Sequence, residues 1–249
     1  VFADKEVDKD FGSGVVGVTP AHSATDYDFA QRHSLELIKL IDEHGIIMKK
    51  GGKYEGMTVL DARKAFVSDL EKAGQIDKVE DFKNNLSICY RCSTAIEPLT
   101  SDQWFVRVNK EIPGRGKSLK TLATLAVKNG DIKILPDKFN KIYYHWMDNL
   151  HDWCISRQIW WGHRIPVWYT EDGKIIVAHD QAEAQSKAGD KKIKQDEDTL
   201  DTWFSSSLWT FSTLGWPEQT DDLKKFHPTS VMETGYDIIF FWVARMILM

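Results

Sequence analysis

Three small groups of residues in this sequence have types and spacings that could do chemistry. His22, Asp26 and Asp28 follow a glycine-rich stretch that ends in Thr19-Pro20. A carboxylate and an imidazole that share a pocket can hold an amino group, orient a water or act as a general base. From spacing alone, a capping Asp26 and an exposed His22 are the plainer account. Cys89-Tyr-Arg-Cys92 has the spacing of half a zinc knuckle. A closed structural site takes four ligands, and no second Cys-x-x-Cys occurs here to supply them. Gly235-Tyr-Asp237 stands directly before an apolar run. At a strand-to-helix turn, glycine leaves room for a nucleoside ribose, the carboxylate accepts its hydroxyls, and backbone amides face outward.

Two broader features surround these groups. Arg107, Lys110, Arg115, Lys117 and Lys120 form the clearest basic patch, with Glu111 among them. A solvated face is its plainer reading, ahead of a nucleic-acid contact. Nine of the ten tryptophans lie beyond residue 140, and each is more often a packing residue than one that stacks on a ligand. Cys154, flanked by Trp153 and Ile155, reads as core.

The elements that must position these residues follow from pattern. Gly12–Pro20 alternates glycine with β-branched residues and predicts a strand. Ser23 and Asp26 make a capping signal for a helix from Ala24 towards His33. Leu35–Ile41 fits strand or helix, Asp42–Gly45 is a turn, and Lys49–Lys53 is a loop. Thr58 and Asp61 open a helix whose apolar positions are Ala62, Ala65, Phe66 and Leu70, with Gly74 where a C-terminal cap belongs. A strand is expected over Leu86–Cys89 and another around Trp104–Val108. Lys117–Asn129 predicts an amphipathic helix, with Leu119, Leu122, Leu125 and Ala126 on one face and Gly130 as its stop. Residues 170–198, without tryptophan and rich in Gln, Ala, Lys and Asp, read as a surface insertion. Val231–Thr234 predicts the strand that leads into Gly235.

Composition narrows the class. With 42% hydrophobic and 28% charged residues over 249 positions, the chain is neither disordered nor low-complexity. A net charge of -5 provides no general basic field, so DNA is not an expected partner and any polyanion must be bound locally. Three cysteines are too few for a secreted disulfide framework, which makes the cytoplasm the default location. The apolar run Ile238–Met249, interrupted by Arg245, is shorter than the roughly 20 residues of a membrane span. The amino terminus has no initiator Met and no leader character, and reads like the interior of a longer chain.

Five segments taken together carry a resemblance: Asp152-Trp-Cys-Ile-Ser-Arg-Gln-Ile-Trp-Trp-Gly-His163, Ile165-Pro-Val-Trp168, Asp201-Thr-Trp-Phe-Ser-Ser-Ser-Leu-Trp209, Gly215-Trp-Pro217 and Glu233-Thr-Gly-Tyr-Asp-Ile-Ile-Phe-Phe-Trp-Val-Ala-Arg-Met246. They resemble the valyl-tRNA synthetases, a family of class I aminoacyl-tRNA synthetases. Gly12–Asp28 and Gln31-Arg-His33 look like the later half of that family's inserted editing domain. The resemblance therefore implies an α/β fragment with three parts. Residues 1–85 would be the C-terminal part of the editing domain, 86–140 a connecting segment with the Cys-x-x-Cys knuckle, and 141–249 the second half of a Rossmann-type parallel nucleotide-binding sheet.

Residue by residue, the resemblance puts Trp203 and Ile238 in the wall of a valine pocket, with Trp161 beside them. Gly235 and Asp237 would hold the adenosine ribose. Asp26, His22 and Thr19 would belong to the editing pocket, Asp26 receiving the ammonium group of the misactivated amino acid. An apolar wall accepts valine but discriminates poorly against threonine, and valine-specific synthetases are the standing example of this limit and of its hydrolytic remedy. The implied partners are valine, tRNA(Val) and ATP with Mg2+, with no DNA and no membrane.

The family's HIGH and KMSKS motifs, which serve the ATP site, are missing from these residues, so the fragment alone is expected to be inactive. Gly17 and Ser23 stand where the family has a lysine and an aspartate, which removes two charges from the editing pocket. Tyr169–Gly173 occupies the place of the second cysteine pair of zinc-holding members, so a metal-free knuckle is expected at Cys89 and Cys92. The competing readings are a non-catalytic binding module or split subunit, and a free-standing hydrolase of mischarged tRNA.

Overall fold

The computed structural model describes residues 3–10, 12–81, 83, 85–90 and 92–249. The backbone divides into two compact units, Val1–Asp102 and Gln103–Met249.

In the first unit, helix α1 (Ala24–His33) begins as its sequence predicts: Ser23 Oγ accepts the Asp26 amide at 3.3 Å. Arg32 and His33 close its last turn, where cations suit the negative end of the helix dipole. Both also reach Asp4, Arg32 Nε at 2.9 Å and His33 Nε2 at 2.8 Å from its carboxylate. The Arg32 guanidinium and the Glu6 amide hold that carboxyl well below the usual carboxylate range. Leu35–Ile41 contains no helix and leads into a turn at Asp42, whose Oδ1 accepts the His44 and Ile46 amides, both at 2.9 Å. Ile41 then bridges Ile47. A 3-10 helix over Lys49–Tyr54 occupies the stretch expected to be a loop.

Helix α2 (Val59–Lys72) is capped by Thr58, whose Oγ1 accepts the Asp61 amide at 3.2 Å. It ends at Gly74, φ +65°, where the Gly74 and Gln75 amides return to the Glu71 and Leu70 carbonyls. That closure needs a left-handed residue, which glycine provides without a Cβ penalty. The apolar face of α2 is only partly covered: Ala62 is buried, while Phe66 is half exposed with its edge against Tyr54.

Two strand expectations in this unit are corrected. Gly12–Pro20 joins no ladder, and its Val15 and Val16 are exposed. Leu86–Cys89 is reduced to one bridge, Ile88 to Ala95. In both cases β propensity found no neighbouring strand to pair with, and an unpaired strand gains little by staying regular.

The second unit holds the principal core. Strand β1 (Phe105–Val106) pairs antiparallel with β2 (Trp153–Cys154). Between them in sequence lie α3 (Leu119–Lys128), capped by Ser118, and α4 (Asn140–Asp148). Tyr143 is fully buried and donates its hydroxyl to the Ala123 carbonyl at 3.0 Å, tying α4 to α3. Val108, Met147, Leu150, Trp153, Ile239, Ala244 and Leu248 complete the cluster. Each large apolar side chain so buried contributes about 1.5–3 kcal/mol against water. In α3 the fully buried positions are Ala123 and Val127, four apart, with Leu119 packed beside them; Leu122, Leu125 and Ala126 are only partly covered.

After β2 comes β3 (Ser156–Arg157). Strands β4 (Val167–Thr170), β5 (Ile175–Val177) and β6 (Ile193–Gln195) form an antiparallel sheet of order β5-β4-β6. Helix α5 (Gln181–Ala188) covers it, enclosing Trp168, Ile176, Ala178 and Ala184 in a second small core. Strand β7 (Thr199–Leu200) then pairs with β3. It leads into α6 (Thr202–Ser207), α7 (Trp209–Ser212) and α8 (Asp221–Phe226). The chain ends with a 3-10 turn at Tyr236–Ile238, a π-helical turn at Ile239–Val243 and α9 (Ala244–Leu248).

The content is mixed α/β, as expected. The named strand pairs are all antiparallel, and the described residues do not form the expected parallel sheet. A parallel pair needs two strands of some length joined by a crossover of about a dozen residues or more. Here the strands are two to four residues long and close on antiparallel neighbours. The expected strand Val231–Thr234 is likewise unpaired, with Val231 exposed.

Candidate functional site

In the first unit the structure brings Thr19 and Asp26 together. Asp26 Oδ2 accepts both the Thr19 amide at 2.7 Å and the Thr19 hydroxyl at 3.0 Å. Ser23 is the residue that caps α1, so the Asp26 carboxylate faces backward to the Thr19-Pro20 turn and is not spent on the helix end. His22 is tied on both ring nitrogens. Its Nε2 accepts the Leu40 amide at 2.9 Å, and its Nδ1 lies 3.2 Å from the Pro98 carbonyl. An Nε2 that accepts leaves the proton on Nδ1, which then donates to Pro98. The imidazole thus joins three stretches of backbone.

At the knuckle, Ser93 at φ +59° turns the chain, and the Cys89 amide donates to the Thr94 carbonyl at 2.8 Å. The Thr94 hydroxyl, first among its hydrogen-bonding neighbours, lowers the Cys92 thiol from its ordinary value. Arg91 lies outside the described residues. Two sulfurs supply half of a four-ligand zinc set. Among the described residues no group of three or more His, Cys, Asp or Glu side chains is placed to hold a metal.

The second unit holds the other candidates. Asp201 starts α6: its Oδ1 accepts the Trp203 amide at 3.4 Å, and its Oδ2 accepts the Trp153 indole at 3.0 Å. Trp203 is thereby fixed on the first turn of a short helix. Its ring stacks on Phe241 of the π-helical turn, centroids 5.8 Å apart and planes 27° from parallel. The Trp242 indole donates to the Ser206 carbonyl at 2.9 Å and fastens the same two elements. Ile238 immediately precedes that π-helical turn and is partly buried. Trp203 and Ile238 therefore stand on packed neighbours.

Trp161 does not join them. It is 91% exposed, in a loop whose ends are both held at Thr199, by the β3–β7 pair and by the Arg164 bridge. Gly235 and Asp237 sit in an exposed 3-10 turn. A Cβ placed on Gly235 would stand 2.5 Å from Asp237 Oδ1, so a side chain there would make the exposed carboxylate rotate away. Among the described residues no cation pairs with Asp237, and its carboxylate is free to accept hydroxyls. An open turn with an unpaired carboxylate fits a sugar diol.

Arg245 and Asp201 were not among the residues expected at a site. Arg245 is buried, and burial brings its guanidinium down to about 10, the Asp201 carboxylate pulling the other way. A charged residue that interrupts an apolar run was the sequence signal for it.

Comparison with known proteins gives the family. A family model described as tRNA synthetases class I (I, L, M and V) matches residues 34–249. The chain belongs to the class I tRNA synthetases. Its relatives include the valine–tRNA ligase of Thermotoga maritima, 53% identical over 100% of this chain and 28% of that protein. The valine–tRNA ligase of Clostridium tetani is 53% identical over 99% of this chain and 27% of its own length. That of Dehalococcoides mccartyi is 50% identical over the whole chain and 27% of its own length. This synthetase chain thus spans little more than a quarter of the curated relatives it matches. Both the Trp203 helix and the Gly235–Ile238 turn lie inside the part that the family model covers. Among the described residues, no helix is long and apolar enough to cross a membrane.

Proposed function

We propose that this chain is a segment of an enzyme that activates valine with ATP, forms a valyl-adenylate and transfers the valyl group to tRNA(Val). Trp203 and Ile238 then form one wall of the amino-acid pocket, and Gly235 and Asp237 take the adenosine ribose. The observation that carries this reading is the packing of the Trp203 helix against the π-helical turn that follows Ile238. The packed turn continues directly from the turn that carries Asp237, and an aminoacyl-adenylate needs an apolar surface at one end and a hydroxyl acceptor at the other. ATP with Mg2+ enters as substrate, and the groups that stabilise its phosphates lie mostly outside this segment. The exposure of Trp161 leaves it a marginal member of the pocket.

On the same reading, residues 1–85 contribute to a hydrolytic editing domain, 86–140 connect it, and 141–249 complete a Rossmann-type nucleotide-binding sheet with other parts of the enzyme. The Thr19–Asp26 pair supports the editing assignment, since it leaves a carboxylate beside a hydroxyl at a turn. An ammonium group could be held there.

Calorimetric titration with non-hydrolysable valyl- and isoleucyl-adenylate analogues tests the reading, with this chain replacing the matching segment of the Thermotoga maritima enzyme. Binding that prefers the valyl analogue and weakens at least tenfold in Asp237→Ala, about 1.4 kcal/mol, is the expected result. Equal binding of the two analogues, or an Asp237→Ala variant as tight as its parent, would refute it.

A further inference from the structure

Arg245 has no part in the chemistry proposed above, yet it is the most conspicuous charge in the core. It is 7% exposed, and its Nη1 has no hydrogen-bond partner among the described residues. A buried cation with a donor left open is costly, and such a group persists where its surroundings hold it firmly. Its guanidinium carbon lies 4.2 Å from the Trp153 ring centroid and 4.7 Å from that of Phe240. Flat guanidinium on aromatic faces is an arrangement that lysine cannot reproduce.

The Trp153 indole leads on to Asp201, itself 6% exposed and paired with Arg157, whose Nη2 is 3.1 Å away. Arg157 therefore pairs with that carboxylate directly, whereas Arg245 reaches it through the Trp153 indole. That carboxylate is also the start of α6 and the acceptor of the Trp153 indole. Arg245, at the other end, stands in α9, directly after the π-helical turn that carries Phe240 and Phe241. One indole and one carboxylate thus link the cation of α9 to the helix start that orients Trp203.

We propose that Arg245 is a positioning residue: stacked on Trp153 and Phe240 and joined to Asp201 through the Trp153 indole, it sets the spacing between α6 and the π-helical turn that follows Ile238, and with it the width of the amino-acid pocket. The functional half of this inference rests on the reading given under Proposed function. A misplacement of about 1 Å in such a wall is enough to change rates and affinities severalfold or more.

The test has two arms, each with Arg245→Met and Arg245→Lys. In the full-length protein that carries this segment, valine- and isoleucine-dependent pyrophosphate exchange is measured. Both variants are expected to raise KM for valine about tenfold while kcat falls less than about threefold, and to raise the isoleucine-to-valine ratio of kcat/KM about tenfold. In the 249-residue chain, the indole resonances of Trp153, Trp203 and Trp242 are expected to move in both variants, and those of Trp104 and Trp168 to stay. A soluble variant with the wild-type selectivity ratio, or with unmoved Trp203 and Trp242 signals, overturns the proposal. If the methionine variant does not fold, the lysine variant gives both readouts. A wild-type protein that does not activate valine overturns the proposed function instead, and the indole spectra then decide the positioning role alone.

Discussion

At Gly235 the absence of a side chain decides where a neighbouring carboxylate sits. Its φ is an ordinary -61°, so nothing about its backbone calls for glycine. A Cβ would meet Asp237 Oδ1 at 2.5 Å and turn the carboxylate aside, at little cost to the fold. Gly235→Ala is therefore expected to weaken binding of the valyl-adenylate analogue about tenfold while leaving thermal stability near the parent value, since the turn is exposed. Parallel titration and melting curves check this, and a variant that binds like its parent would remove the crowding explanation. His22 and Asp26 teach a complementary lesson. Both stood out by type and spacing, but a carboxylate that could cap a helix and one that could hold a ligand look alike in a sequence. Only the distances to Thr19, Leu40 and Pro98 separate the two carriers of polar chemistry.

Helix ends were the most legible elements. Ser23, Thr58 and Ser118 each cap a helix through the amide three residues on, because capping is local chemistry that needs no distant partner. Strands were the least legible, since Gly12–Pro20 and Val231–Thr234 have strand composition and no ladder to join. The β5-β4-β6 sheet illustrates how such an element is fastened once its partners are found. Lys191 and the Thr170 hydroxyl hold the Asp172 carboxyl at about 2, below its ordinary value of 3.8. A depressed carboxyl stabilises the fold fully above the ordinary value and loses that contribution as pH falls towards 2, because the unfolded chain takes up the proton first. The sheet is thus expected to lose stability as pH falls from about 4 to 2, and Asp172→Asn to lose less over that range. Both partners are more than half exposed, so the effect is small and weakens in salt. Trp168 fluorescence melts of the two proteins at stepped pH would measure the difference.

At the scale of the whole molecule, core is unevenly shared. Both apolar clusters belong to residues 103–249, whereas the first unit fully buries Ala21, Phe29, Ala30 and Ala62 among its described apolar residues. Local opening follows scarcity of buried contacts, so early cleavage belongs in the first unit. Brief trypsin treatment is expected to cut first at Lys78 or Lys83, between α2 and β1, and to leave a resistant piece that contains 103–249. Intact-mass spectrometry checks this; first cuts within α3 or α4 would mean that the second unit lacks the advantage described.

The sequence by itself determined the family, through five segments spread from Asp152 to Met246, and the helices with their caps, because those signals are local or lie in residue identity. It also marked Trp203, Gly235, Asp237 and Ile238 as a set. Tertiary structure alone decided which of the marked residues meet: Trp203 lies on a helix packed against the turn after Ile238, Thr19 meets Asp26, and Trp161 faces solvent. It also disclosed the Arg245–Trp153–Asp201 link, whose members are 44 to 92 residues apart. Contacts of that separation depend on how elements pack, and packing is a property of the folded chain as a whole and not of any stretch of it.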